Sequence, residues 1–543
     1  MPSRLVRTAL VMACLGIGAA MGAGLDVPRV VSQTGRHALI VDGAPFVVLG
    51  AQVNNSSAWP SALPKVWPAV AQLQANTVSV PIAWEQIEPR EGQFDFSWLD
   101  VLLSEAREHR VRLILLWFAT WKNSGPNYAP VWVKLDNKRF PRVVTADGKV
   151  LNSLSPHAAA TLAADRNAFA RLMRHLEAAD RDRTVIMVQV QNEPGTYGSV
   201  RDYSPAGERA FAAQVPARLL DKLKRRPGTW RAVFGDDAEE FSHAWAVAHY
   251  IGEVAAAGKA EYPLPMYVNC ALRDPFAPGK PGAYASGGPT DNVLDIYEAA
   301  APAIDIIAPD IYLRESAKYE RVLALYGRQD NPLFVAETGN DRTFARYFFA
   351  TLGSGAIGFV PFGIDFTGYS NYPLGAKRSD ATMVEPLAAN YRLVSAWARQ
   401  WAQAAYRGEV WGVAQPDDAA DRVIELGAWR ATLSFNEWQF GMKAWTFVAD
   451  AGVPDGREVP DGGALIAKLS ANEYLVTGRN VRVTFSLGES SRANGFIFAR
   501  VEEGHFDAAG QWVFERVWNG DQTDYGLNFT TLPQLLRVRL ASY

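Results

Sequence analysis

The chain is poor in cysteine. Cys14 and Cys270 are the two in 543 residues, too few for a disulfide framework or a cysteine cluster around a metal. It also lacks a His-Glu-x-x-His pair of the zinc-binding kind, so no metal site is expected; no cofactor is expected either, because two carboxyl groups supply the chemistry. An excess of one charge is missing: the net charge of −3 provides no basic surface for nucleic acid. The apolar run from Thr8 to about Met21 is too short for a comfortable membrane span, which argues against stable membrane insertion. Arg4 and Arg7 precede that run and small residues follow it through Ala23, the order of an export signal. Residues 1–23 are therefore expected to be a signal peptide, and the mature chain to be exported, periplasmic or secreted. Met12 makes Val11–Cys14 a poor lipoprotein box, and cleavage near Ala20 to Ala23 leaves Cys270 alone, without an internal disulfide.

What remains is an ordinary globular composition, 48% hydrophobic and 20% charged, in a chain long enough for two or three domains. The aromatics, 17 Trp, 19 Tyr and 26 Phe, suit the apolar faces of sugar rings, but they equally fill cores. A basic patch, Leu219 to Arg226, reads as a solvated helix face.

Short apolar runs alternate with helical patterns. The predicted strands are Phe46–Gly50, Thr77–Val80, Val111–Trp117, the run from Val185 to Asn192, Met266–Cys270, Ile304–Tyr312, Leu333–Ala336 and Ala356–Phe362. The predicted helices include Leu63 to about Ala75, one from an N-cap at Ser97 to about His109, His157–Ala179, Phe241–Ala257 and a closing helix from Val384 to about Ala405. Before them, His37–Gly43 reads as a small hairpin. Eight such units predict an α/β fold, a (β/α)8 TIM barrel, over residues 24–405. From about Arg407 the period changes to two, as in Val481–Leu487 and Leu536–Leu540, with a hairpin turn at Asp507–Gly510. Residues 406–543 are thus expected to form an antiparallel all-β, sandwich-like domain.

Two of the barrel strands end in a carboxylate. Val185-Ile-Met-Val-Gln-Val-Gln-Asn-Glu-Pro-Gly195 is an apolar strand stopped by Pro194-Gly195, with Asn192 and Glu193 at its end. Pro332-Leu-Phe-Val-Ala-Glu337-Thr-Gly339 repeats the pattern. Glutamate is rarely buried unless paired, and the C-terminal rim of a barrel is where catalysis is placed. Glycoside hydrolysis uses two carboxyl groups, one protonating the leaving oxygen and one attacking carbon or activating water. The assignment is Glu193 as general acid/base and Glu337 as nucleophile. The plainer alternative is that one of them is a paired core carboxylate. Asp310 and Asp365 also follow barrel strands and are the rivals for nucleophile, though each reads better as a binding or orienting group.

Asn192-Glu193-Pro194 after strand four, with a second Glu after strand seven, resembles clan A of the retaining glycoside hydrolases. Trp84-Glu-Gln-Ile-Glu-Pro-Arg-Glu-Gly-Gln-Phe-Asp-Phe96 is similar to the strand-two signature of the β-galactosidase families 35 and 42. Trp117-Phe-Ala-Thr-Trp-Lys-Asn-Ser124, Ala336-Glu-Thr-Gly-Asn340 and the Gly463–Leu487 region look most like bacterial family 35 enzymes with an appended C-terminal domain. The chain departs from that pattern at Pro194, where many members have Tyr, and at Thr338, where they have an aromatic residue. The resemblance implies an exo-acting enzyme that releases terminal β-galactose from galactosides or polysaccharide side chains, with a carbohydrate as its partner. Asn192 would then hold the sugar 2-hydroxyl and Tyr312 would hydrogen-bond the nucleophile. Asn54, Asn55, Glu85 and Asn269, at strand ends, would bind hydroxyls; Trp117, Trp121, Tyr197 and Phe362 would stack on sugar, with core packing as the rival. The alternatives are another clan A β-glycanase, acting on glucan, mannan or xylan, or an inactive carbohydrate-binding protein.

Overall fold

Eight runs dominated by Val, Ile, Leu and Ala lie side by side, all parallel, and close on themselves. The computed structural model describes residues 26–443 and 458–543, so the expected signal peptide lies outside the described residues. Barrel strands one to eight are Val48–Gln52, Thr77–Ala83, Arg112–Lys122, Val185–Asn192, Met266–Ala271, Ile306–Ile311, Val335–Thr338 and Gly358–Pro361. Pairing of Gly358 with Val48 and Phe359 with Leu49 joins strand eight to strand one. Side chains alternate between two buried faces, which is why the strands read as continuous apolar runs. Val48, Ile114, Leu116, Ile186, Tyr267 and Phe334 fill the interior. Leu49, Val78, Val80, Leu113 and Leu115 pack outward against the helices.

The expected hairpin is part of a three-stranded sheet, Arg29–Gln33, Arg36–Val41 and Ala44–Phe46. Leu39 and Val41 join the interior cluster, so this sheet covers the N-terminal mouth of the barrel. Strand one starts at Val48 rather than Phe46 because Phe46 pairs with Leu39 in that sheet.

Three further boundaries differ from expectation. Strand three continues to Lys122: its pairing with strand four shifts register after Trp117 and resumes with Lys122 opposite Asn192. Ser97 is the first residue of the helix Ser97–Glu108 and not its cap; the cap is Phe96, and the Ser97 N–H donates to Asp95 Oδ1 at 2.9 Å. The closing helix is two helices, Ala381–Arg392 and Ala398–Arg407. Between them Ser395 Oγ donates to the Tyr391 carbonyl and the Trp397 indole to the Leu393 carbonyl, so side chains take acceptors that would have continued the first helix. The Leu219–Arg226 patch is largely exposed, as expected, with Lys222 ion-paired to Glu298 and Asp330.

Beyond Arg407 the strands are antiparallel. Six form one sheet in the order Val410–Ala414, Gly463–Ser470, Glu473–Arg479, Leu535–Ser542, Phe496–Phe506, Trp512–Val517. Four form the other, Arg422–Glu425, Trp429–Ser434, Val481–Leu487, Leu527–Phe529. Period two explains both faces of the Gly463–Ser470 strand. Ala464 and Ile466 enter the core between the sheets with Trp429, Phe485 and Val538, whereas Leu465 and Ala467 join the core of the barrel. The β region is thereby welded to the barrel, with Arg346–Asp417 at 2.5 Å and Arg342–Asp461 at 2.6 Å as polar ties. Backbones touch at Gly353 and Gly412, where a Cβ on Gly353 would stand 2.0 Å from the Gly412 nitrogen.

Candidate active site

Parallel strands deliver all their C-terminal ends to one rim, where Gln52, Asn192, Asn269, Asp310 and Glu337 are all buried. Strand four ends with Asn192 fully buried and Glu193 half-buried. Strand six places Asp310 directly beside Glu337 of strand seven, the two being register partners. One carboxyl oxygen each of Glu193, Asp310 and Glu337 lies within 4.8 Å of the others.

Each carboxyl has a different set of partners. Glu337 receives Gln52 Nε2 at 2.7 Å on one oxygen and the Tyr312 hydroxyl at 2.8 Å on the other. Glu193 receives no such pair. Burial and the neighbouring Glu337 charge push its carboxyl up to about 7, against the opposing pull of Lys122 and a hydrogen bond with Asp310. Burial first, then Glu337 and Glu193, drive Asp310 well above the usual carboxylate range. Tyr312 is likewise pushed well above a normal phenol by burial and the adjoining carboxylates, so it stays a donor.

Asn269 ties the cluster together. Its Nδ2 donates to Asp310 Oδ2 at 2.6 Å and to Asn192 Oδ1 at 3.2 Å, and its Oδ1 accepts the Glu193 N–H at 2.9 Å. Asn192 Oδ1 also accepts from Gln189 at 3.0 Å, while its Nδ2 donates to Asn123 at 3.2 Å. These bonds hold an unusual backbone: Gln191 and Glu193 have φ of 65° and 45°, conformations that cost a non-glycine residue about 1 kcal/mol or more. Asp165, on the helix Ala159–Ala179, anchors the strand end from below. It accepts from Gln191 Nε2, the Thr120 and Tyr250 hydroxyls and the Trp117 indole, at 2.7, 2.6, 3.3 and 2.8 Å.

The structure thus brings together Asn192, Glu193, Asn269, Tyr312 and Glu337. Tyr197 is 47% exposed, and burial of its hydroxyl, then the Glu193 charge, raise its phenol to about 12. The other expected sugar contacts fall elsewhere. Trp117 and Trp121 do not face a sugar site: both are buried, and their indoles donate to Asp165 and to the Leu154 carbonyl. The extension of strand three beyond Trp117 is what places Trp121 in the core. Phe362 is 7% exposed but stays at the rim, where it bridges to Gln52 and its N–H donates to the Thr338 carbonyl at 3.0 Å. Glu85 is ion-paired with Lys134 at 2.6 Å instead of joining the carboxyls. Asn54 and Asn55 line a cavity of about 550 Å³ with Ser56, Tyr128, Thr367 and Tyr369. Asp365 lies outside the cluster of Glu193, Asp310 and Glu337; its oxygens accept from the Asn54 N–H and side chain and from Thr367.

Gln52, Lys122 and Asp165 carry roles that sequence reasoning did not assign. Gln52 obeys the strand-end rule that found Glu193. Asp165 gives no signal, because a lone aspartate in an amphipathic helix usually faces water. The three clustered carboxyls are spaced for one cation, yet Gln52, Tyr312 and Asn269 donate to them and the buried Lys122 faces them. A second acidic group, Asp295, Glu298 and Asp330, is occupied by Lys222 and Arg328.

A family model described as β-galactosidase, that of glycoside hydrolase family 42, matches residues 57–250. A second, described as a domain of unknown function, matches residues 387–530. The chain is 25% identical over 209 residues to a β-galactosidase of Xanthomonas manihotis, and 29% identical over 194 residues to one of Arthrobacter sp.. Those alignments cover 37% and 32% of this chain and 32% and 26% of the relatives, so the chain spans less than a third of their length. The crystal structure of β-galactosidase from the psychrophilic Marinomonas ef1 superposes with a TM-score of 0.48 at 13% identity, covering 65% of this chain and 61% of that one.

Proposed function

We propose that this protein is a retaining, exo-acting β-galactosidase that works by double displacement. The observation that carries the proposal is the approach of Glu193 and Glu337, whose carboxyl oxygens lie within 4.8 Å. Retaining enzymes hold their carboxyls roughly 5 Å apart; inverting ones leave at least about 6.5 Å for a water. Partition of the two roles follows from environment. Glu193, raised to about 7, keeps a proton to give to the leaving oxygen near neutral pH. Glu337, aligned by Gln52 and Tyr312, attacks the anomeric carbon. Asn192 holds the 2-hydroxyl, a contact that strengthens as the transition state develops, and Tyr197 stacks on the sugar.

The choice of galactose is supported by the matched family 42 region, which contains Glu193 and the Trp84–Phe96 segment. Family 42 is the better supported affiliation there; the likeness to family 35 rests on the motifs alone. Export through residues 1–23, and a division of the mature chain near residue 405 into catalytic barrel and β domain, belong to the same proposal.

The test is release of nitrophenol from a panel of nitrophenyl glycosides by the wild type, Glu193→Gln and Glu337→Gln. Release from the β-galactoside, lost in both variants, supports site and sugar together. Release from a different sugar, again lost in both, replaces the substrate. Turnover that survives Glu337→Gln overturns the mechanism.

A further inference from the structure

The third carboxyl of the cluster has no assigned task. Asp310 is 3% exposed, and its two oxygens are unequal. Oδ2 accepts Asn269 Nδ2 at 2.6 Å, whereas Oδ1 is buried and receives no donor from another group among the described residues. A buried carboxylate oxygen without a donor costs free energy, and more so beside two other carboxyls. A proton of its own removes that cost.

We propose that Asp310 acts as a neutral carboxylic acid whose O–H is held against Glu193, and that this hydrogen bond positions and poises Glu193 for its proton transfers. The proposal rests on the glycosidase function proposed above. In the first step the Glu193 proton passes to the glycosidic oxygen as the bond from C1 to that oxygen breaks. Glu337 forms the new bond to C1, and the aglycone leaves as an alcohol. Glu193 is now a carboxylate, and the Asp310 O–H donates to it without transferring. In the second step Glu193 takes a proton from water, whose oxygen attacks C1 and releases Glu337. The Asp310 bond is stronger to the charged Glu193 than to the neutral one, so it favours the states in which the proton has left.

The neighbours of Asp310 are consistent with this proton. Glu337 from strand seven and Glu193 from strand four oppose a charge on it; Lys122 from strand three and the Asn269 hydrogen bond favour one, and burial with the two carboxyls outweighs them. The surrounding hydroxyls and thiol are committed elsewhere or unengaged. Tyr312 donates to Glu337, Tyr326 to the Pro289 carbonyl, Cys270 to the Ala271 carbonyl, and the Tyr267 hydroxyl makes no hydrogen bond among the described residues.

The test compares the pH dependence of kcat/KM for the wild type, Asp310→Asn and Asp310→Leu. Asparagine mimics the neutral acid and keeps a donor, so its basic limb should stay within about half a pH unit of wild type. Leucine removes the donor to the Glu193 carboxylate, so the limb should move up by about one pH unit, a tenfold change in the protonated fraction. A fall of the limb in Asp310→Asn would show that Asp310 is an anion and overturn the proposal. So would a loss of rate in Asp310→Leu that is uniform with pH, the mark of a merely structural role. Infrared difference spectra read the same proton without turnover. A protonated-carboxyl stretch present in the wild type at pH 8 and absent in Asp310→Asn is expected, and its absence from the wild type overturns the proposal even where no glycoside is cleaved. Persistence of that band in a protein that hydrolyses nothing would instead fault the proposed function alone.

Discussion

Glu193→Gln is expected to abolish turnover and yet make the protein more stable, with a gain that depends on pH. In the folded protein the Glu193 carboxyl is raised from its ordinary 4.5 to about 7, chiefly by burial and then by the Glu337 charge. In the unfolded chain it returns to its ordinary value. Below pH 4.5 both states carry the proton, and the group has no net effect on stability. Between 4.5 and 7 the unfolded chain ionises while the folded protein keeps its proton, so stability falls as pH rises through this window. Above 7 the folded state carries the whole penalty, roughly 3 kcal/mol at about 1.4 kcal/mol per pH unit. Glutamine fits the same space, resembles the neutral acid and does not titrate. The difference in unfolding free energy between Glu193→Gln and wild type should therefore be near zero at pH 4.5 and approach roughly 3 kcal/mol at pH 8. Urea unfolding followed by tryptophan fluorescence at pH 4.5, 6, 7 and 8 measures it. A variant no more stable than wild type at pH 8, or a difference that does not grow with pH, would refute the burial argument on which the acid assignment stands.

Asp165→Ala would leave the Trp117 indole and the Gln191 amide without their acceptor inside the protein, and one of the Thr120 and Tyr250 hydroxyls as well, since these two also bond each other at 2.7 Å. At about 1–3 kcal/mol for each orphaned group, a loss of at least about 3 kcal/mol is expected in a chemical or thermal melt, together with a fall in kcat as the strand-four end relaxes. Gly353→Val should separate the barrel helix from the β domain, because even a Cβ there meets the Gly412 nitrogen at 2.0 Å. An overpacking cost of about 1–3 kcal/mol is expected in the melt, with faster proteolysis near residues 408–412.

The eight strands were legible because each is a short apolar run bounded by turn residues, and parallel pairing buries both faces. Glu193 and Glu337 were legible for the converse reason: a carboxylate ending such a run has no apolar explanation. In the β domain, alternation in Val481–Leu487 and Leu536–Leu540 announced antiparallel strands. Local pattern by itself determined these features, since burial and period are properties of neighbouring residues.

Tertiary structure decided the rest. Trp117 and Trp121 had the composition of a sugar platform, but Asp165 on the following helix drew the Trp117 indole into the core, and the continuation of the strand to Lys122 buried Trp121. Glu85 stood at a strand end like Glu193, yet Lys134, distant in sequence, drew it into an ion pair. The support of Gln52 for Glu337, and of Asp165 for Gln191, joins residues whose relation exists only once the barrel closes. The sequence by itself determined which residues end strands; only the closed barrel decided which of those ends meet, because the distances between them are set by strand order and register.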